Sequence, residues 1–348
     1  MPTLTWDIAT GYDFFISLMA LHDPEQFSLR PSWAAGVRAR LPTAERDFLQ
    51  RFCATKLLPL HWVHGLPAPK DSRAVLAELG RIPPAERLLA LLTTHHTPAE
   101  LLAILHEVQA KGAWDAADVT RTQALLPAHE KPFQTPATIG AMLDFWARPA
   151  EFGDLFLLSC ESFYSEFFAE EEERLLPHLQ AAAEQGQAWA ADLPLETLFE
   201  ELSQGVRYEL PLAVDEVVFA PVFWSTPLII DLPLDQNRLL FTYGARPAAV
   251  SLVPGEVVPA DLPQVLKALA DPTRLRILRL LAERPLAPGE LAQELRLRPS
   301  TLTHHLQALR LARLVRLTLS ENDRRVYALR PAGLERVVEM LYQFVNSG

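Results

Sequence analysis

The most constraining stretch of this chain is its last quarter, where helical spacing gives way to strict alternation and then returns. Asp271-Pro272 joins a carboxylate able to accept orphan N–H groups to a residue with no N–H to lose, so a helix starts there. Leu275, Leu278 and Leu281 form one stripe of it, with Ile277 beside them, and Pro285 to Pro288 ends it. Gly289 to Leu295 gives two helical turns, Arg296-Leu297-Arg298 a tight turn, and Pro299-Ser300 opens a further helix. In that helix Leu302, Leu306 and Leu309 recur at i, i+4 and i+7 and must face a core. The opposite face then shows Ser300, Thr301, His304 and Ala308, flanked by Thr303 and Arg310. Leu314 to Leu319 alternates, turns at Glu321-Asn322-Asp323 and returns through Arg324 to Leu329 as a hairpin.

Three helices followed by a hairpin spell a winged helix-turn-helix. Small hydroxyl residues at a helix N-terminus suit entry into a DNA groove, where they donate to phosphates and bases while the helix dipole favours anions. The candidate DNA-binding residues are Arg298, Ser300, Thr301, Thr303, His304, His305, Arg310 and, just after the hairpin tip, Arg324 and Arg325. The bland alternative is a solvated helix face and solvated hairpin charges. His305 adjoins the three leucines, which leaves packing and phosphate contact both open to it. In the last helix Leu334, Val337, Val338, Leu341 and Val345 form a stripe larger than one small core needs. Part of it is expected to build a homodimer seam with Val265, Leu266 and Leu269, presenting two recognition helices roughly 34 Å apart.

Charge follows the same division. The full chain of 348 residues carries −11, an argument against nucleic acid if taken alone. Leu262 to Gly348, however, carries +6 and the remainder −17. Duplex DNA presents one negative charge per roughly 1.7 Å of axis, so the basic end is where it would dock.

Leu269-Ala270-Asp271-Pro272-Thr273-Arg274-Leu275-Arg276-Ile277-Leu278, followed by Ser300-Thr301-Leu302-Thr303-His304-His305-Leu306, closely resembles the ArsR-type bacterial transcription regulators. The resemblance spans Leu262 to Phe344, about a quarter of the chain. It implies a dimeric winged helix, usually a repressor that releases DNA on sensing a ligand, with Ser300 to Arg310 in the major groove and Arg324 and Arg325 as wing contacts. It also marks departures. Metal-sensing members carry Cys-x-Cys where this chain has Ala287 and Gly289, and nothing after His305 is His or Cys. No metal and no cofactor is therefore expected in the winged helix, because neither thiolate nor imidazole ligands are at hand. Arg298 stands where a serine cap is common, adding a charge in reach of phosphate.

The body, residues 1–258, is expected to fold separately from the winged helix at 259–348, with a linker from Val253 to Asp261. Its first two hundred residues read as short helices punctuated by proline: Leu88 to Leu92 and Leu101 to Leu105 are helical, and Thr97-Pro98 reads as a cap. Val217-Val218-Phe219, Leu228-Ile229-Ile230 and Leu239 to Tyr243 read as strands. The fold class is thus α+β. Phe152, Phe156, Phe163 and Phe167 stripe a helix and serve either as core or as the lining of an effector pocket. Glu170 to Glu173 is read as a solvated helical turn. His61, His64 and Cys53, with His95 and His96 as a second pair, lack a convergent further ligand for a metal. No GxSxG, HExxH, P-loop or dinucleotide fingerprint occurs, so no catalytic residue is assigned and the chain is not expected to be an enzyme. Two cysteines cannot build a disulfide framework, and the longest uncharged run, 14 residues from Val217 to Ile230, contains two prolines and cannot span a bilayer. The N-terminus lacks the basic start and apolar core of a secretion signal.

These observations predict a cytoplasmic, homodimeric, sequence-specific regulator of transcription that binds double-stranded DNA, a repressor, with the body sensing a small-molecule effector and no membrane partner. The rivals are an enzyme with a fused winged helix and a winged helix that contacts protein.

Overall fold

The computed structural model describes residues 2–27, 29–94, 96–126, 135–208, 214–247, 250, 258–259, 261–320 and 324–346. The elements run β1 (Thr3–Trp6), α1 (Thr10–His22), α2 (Pro31–Arg38), α3 (Thr43–Ala54), α4 (Leu60–Gly65), α5 (Ser72–Arg81), α6 (Pro84–Leu92), α7 (Ala99–Lys111), α8 (Ala116–Leu125), α9 (Pro136–Ala147) and α10 (Pro149–Phe163). A π-helical turn, Tyr164–Phe168, joins α10 to α11 (Ala169–Asp192), and α12 (Leu195–Leu202) follows. Then come β2 (Val206–Tyr208), β3 (Glu216–Val222), β4 (Ile230–Pro233), β5 (Arg238–Gly244), α13 (Asp261–Leu269), α14 (Pro272–Glu283), α15 (Pro288–Leu295), α16 (Pro299–Leu311), β6 (Val315–Ser320), β7 (Arg324–Leu329) and α17 (Pro331–Asn346). The class is α+β, and the chain forms two compact units. One comprises residues 1–177, 214–220 and 231–241; the other comprises 178–213, 221–230 and 242–348. The second unit thus reaches well back of residue 259 and takes in α12 and β2.

In the first unit α1 is apolar on nearly every side, and Thr10 through Leu21 are all buried, as a helix without a polar face must be. Phe14 and Phe15 meet at 5.2 Å edge to face, and Phe14 meets Phe163 and Phe168 in the same way. Phe48, Phe52, Phe145, Phe152 and Phe156 form an adjoining group with centroids 4.8–6.2 Å apart. Gly153 lets α10 pass α6 so closely that any Cβ there would stand 2.0 Å from the Pro84 carbonyl oxygen. Beside this crossing the buried Arg87 donates to the carbonyls of Leu79, Gly153 and Ile82. The sheet of this unit has the order β1-β3-β5-β4, with β1 parallel to β3 and Thr3 opposite Glu216. Asp7, just past β1, accepts from Tyr12, His64 and Lys70 at 2.7, 3.1 and 2.6 Å. Burial pushes its carboxyl up, but these hydrogen bonds outweigh that and hold it below the usual value.

Several local expectations need correction. Thr97 does not cap α7; its hydroxyl accepts from Thr94 N–H, and Pro98 stands at the N-cap without a side-chain bond. Leu228 and Ile229 precede β4 rather than lying in it. The Glu170–Glu173 turn is not uniformly solvated. Glu171 is buried against Arg174 at 2.5 Å, and Glu172 accepts from Thr10 Oγ1, Ser72 N and Ser72 Oγ. Proline does not keep every helix short, since α11 continues through Pro177. The strand β1 carried no sequence signal strong enough to be read.

In the second unit the winged-helix elements close around Ile277, Leu278, Leu281, Leu291, Leu295, Leu302, Leu306, Leu309, Leu314, Val315 and Leu317, all buried. Leu275 is not part of this stripe; it is 48% exposed. Asp271 caps α14 as read, its carboxylate accepting from Thr273 N and Arg274 N at 2.8 and 3.0 Å. Its replacement by alanine is expected to cost about 1 kcal/mol, read as a lower denaturant midpoint at unchanged m-value. Gly333 permits α17 to start hard against the strand entry, because a Cβ there would lie 2.1 Å from the Arg313 carbonyl oxygen. Gly333→Ala should therefore destabilise by about 1–3 kcal/mol in thermal unfolding, since backbone has to move to admit the methyl.

Candidate nucleic-acid interface

The orientation of α16 follows from its leucines. Leu302, Leu306 and Leu309 are 1%, 3% and 0% exposed, so the other side of the helix has to face outward. Arg298, Ser300, Thr301, Thr303 and His304 are all exposed there, and Ala308 and Arg310 are half-buried at the margins. The Thr303 hydroxyl donates to the Pro299 carbonyl at 2.9 Å, leaving its oxygen outward as an acceptor. His305 turns inward. Its Nδ1 lies 4.0 Å from Asp271 Oδ2, and only 17% of its side chain is exposed. The Asp271 carboxyl is held below its usual value chiefly by the Arg274 N–H, with a smaller contribution from the nearby His305 ring. A short turn aims this face: Arg296 adopts the left-handed conformation (φ 55°) that closes α15, and its N–H returns to Gln293 O.

The wing is a three-stranded sheet rather than a bare hairpin. β6 pairs antiparallel with β7, Leu317 opposite Tyr327, and parallel with β2, Val206 opposite Leu317. Leu286 adds an antiparallel bridge to Tyr327 on the other edge. Glu200 of α12 anchors the arrangement by accepting from Arg207 at 3.0 Å and from Arg316 at 3.3 Å. Sequence reading missed both β2 and Glu200; a three-residue strand is too short for a periodicity to show. Arg325 is exposed on β7. The tip at 321–323 and the side chain of Arg324 lie outside the described residues.

The predicted seam residues divide by burial. Val265 and Val337 are 5% and 7% exposed and belong to the core of this unit, with Leu269 and Leu334 half-buried against it. Leu266, Val338, Leu341 and Val345 are 42%, 70%, 41% and 69% exposed. Tyr342, 74% exposed, joins them and was overlooked. Its signal was present: it stands four residues after Val338 and three before Val345, on the same face. Phe152, Phe156, Phe163 and Phe167, offered as candidate effector-pocket residues, are all buried in the first unit, each packed on other rings. Among the described residues no three His, Cys, Asp or Glu side chains gather to hold a metal, and no helix is long and apolar enough to cross a membrane.

A buried-leucine helix with a polar outer face, preceded by a two-turn helix and followed by a β wing, defines a winged helix-turn-helix of the bacterial regulator class. Residues 271–316 match the model of the bacterial regulatory proteins of the arsR family. The chain is 40% identical over 90 residues to the HTH-type transcriptional regulator CmtR of Mycobacterium tuberculosis and M. bovis, covering 26% of this chain and 75% of that protein. It is 47% identical over 68 residues to the HTH-type transcriptional regulator Rv2034 of M. tuberculosis, covering 20% of this chain and 63% of that one, and so spans less than two thirds of it. The transcriptional repressor SdpR of Bacillus subtilis is 29% identical over 89 residues, 24% of this chain and 92% of its own. No solved structure matches the chain. The chain belongs to the ArsR family.

Leu306→Ala should cost about 2–5 kcal/mol of stability, read as a lower midpoint in a denaturant titration.

Proposed function

We propose that this protein is a sequence-specific regulator of transcription that binds double-stranded DNA in the cytoplasm as a homodimer and represses by occluding a promoter. The observation that carries this reading is the outward N-terminal face of α16, where Ser300, Thr301, Thr303 and His304 stand exposed beside Arg298. Backbone N–H groups of a first helical turn have no intrahelical acceptor, and the helix dipole adds positive potential there, so phosphate is the natural occupant. Thr303 and His304 are assigned to base edges, Arg298 and Arg325 to phosphates, and Arg324 to the wing contact by its place in the sequence. Ser300, Thr301 and Arg310 complete the docking face. His305 is assigned to hold Asp271 and α16 together, with any phosphate contact secondary. The exposed group Leu266, Val338, Leu341, Tyr342 and Val345 is assigned to the dimer seam. Repression is supported by the likeness to SdpR, a transcriptional repressor.

The N-terminal body is proposed to regulate this head in response to a small molecule. Support comes from α12 and β2, which lie outside the matched family stretch yet pair with and salt-bridge the wing strand β6. Any effector has to discriminate between two arrangements of that sheet, and a coupling of about 1–3 kcal/mol suffices.

The test is DNA binding by the full chain across a salt series. Affinity for a selected genomic fragment should fall steeply between roughly 50 and 200 mM salt, and Arg325→Ala should weaken binding to all sequences and reduce the slope of log K against log salt by about 1. Thr303→Ala or His304→Ala should instead shift the preferred sequence, at about 1–3 kcal/mol per affected base pair. A salt-insensitive interaction would favour the protein-contact reading. Tyr342→Asp together with Val338→Asp should yield monomers in sedimentation and lose tight binding to two half-sites; a dimer of unchanged affinity would remove this seam.

A further inference from the structure

Behind α16, away from its outward face, Asp261 at the start of α13 is shared by three guanidinium groups. Arg246 Nη2 reaches its Oδ1 at 3.2 Å, and Arg313 and Arg336 reach its Oδ2 at 3.3 and 3.1 Å. These groups are withdrawn from water: the side chains of Arg313, Asp261 and Arg336 are 6%, 10% and 29% exposed. Arginine keeps its charge in proteins, so such a site has to be balanced by anions rather than by proton loss. One carboxylate does not balance even Arg313 and Arg336, and burial, reinforced by the neighbouring Arg336, Arg246 and Arg330, pulls Arg313 down to about 9.

A small pocket opens on the same cluster, bounded by α13, the end of α16 and α17. Its polar lining is Asp261, Gln264, Arg313 and Arg336, and its apolar wall includes Val265 and Met340. Gln264 Nε2 of that lining is buried without a hydrogen-bond acceptor, and Arg313 Nη2, equally buried, has only its 3.3 Å ion pair with Asp261 Oδ2 and a further N–H to give. Buried donors of this kind cost about 1–3 kcal/mol each unless a partner is supplied.

We propose that this pocket binds a small inorganic anion of halide size, held by Arg313 Nη2 and Gln264 Nε2 inside and by Arg336 at the mouth. Donors and excess positive charge select an anion over a cation, and the narrowness of the pocket selects a monatomic ion over a phosphate. Bound there, the ion ties the exit of α16 to α13 and α17. The proposal does not depend on the DNA-binding reading, because its readout is binding and stability in the absence of DNA.

The experiment is thermal unfolding of the full chain at constant ionic strength, with sodium gluconate exchanged stepwise for sodium chloride, alongside chloride NMR line broadening and its competition by bromide. A saturable rise in Tm of about 2–4 °C, with broadening that bromide displaces, is the expected result. Arg336→Gln should abolish both, and Arg336→Lys should retain part of each. A Tm that ignores the exchange, one that climbs without saturation, or one that rises equally in Arg336→Gln would overturn the proposal. Should Arg336→Gln fail to fold, the wild-type broadening decides: competition by bromide supports the site, and its absence eliminates it.

Discussion

Burial of Leu302, Leu306 and Leu309 is the constraint on which the reading head rests. Three leucines at these spacings can be withdrawn from water only by turning one side of α16 into the unit, and each contributes roughly 1.5–3 kcal/mol toward doing so. Everything polar at the start of the helix is then outward by necessity. The candidate interface is therefore a by-product of core formation, with no separate stabilisation of its own. Interactions with anions at the N-terminus can then be made without reorganising the backbone.

Around that helix the second unit uses charge to tie its elements together. Asp271 satisfies two N–H groups at the start of α14 and faces His305 across the helix packing. Glu200 draws Arg207 and Arg316 onto one carboxylate, giving β6 a third strand that a hairpin alone would lack. An unpaired strand edge is a hazard for edge-to-edge association, and β2 covers that edge from within the chain. The same device leaves the wing mechanically linked to α12, well upstream of the matched family stretch.

The first unit is organised differently. Its centre is a set of phenylalanine rings in edge-to-face and stacked pairs around α1, with some charged groups received by carbonyls or hydroxyls, as for Arg87 and Glu172, and others by opposite charge, as for Glu171 with Arg174. Such rings give large apolar burial and specific geometry. The aromatic stripe of α10 belongs to this packing.

Much of the C-terminal architecture was legible in the order of residues alone. The Asp271-Pro272 cap, the leucine spacing of α16 and the alternation of β6 and β7 are local signals, each produced within a few residues by backbone geometry and side-chain period. What lay beyond reach involved partners distant in the chain. The pairing of β2 with β6, the gathering of arginines at Asp261, the inward turn of His305, the exposure of Leu275 and the inward pull on Glu171 and Glu172 depend on which surfaces meet, and a period says only that a face exists. Residue order determined a helix-turn-helix with an amphipathic last helix. Tertiary packing decided which of its apolar residues are core and which stay exposed, because only closure of the surrounding helices establishes how much of a stripe one unit can cover.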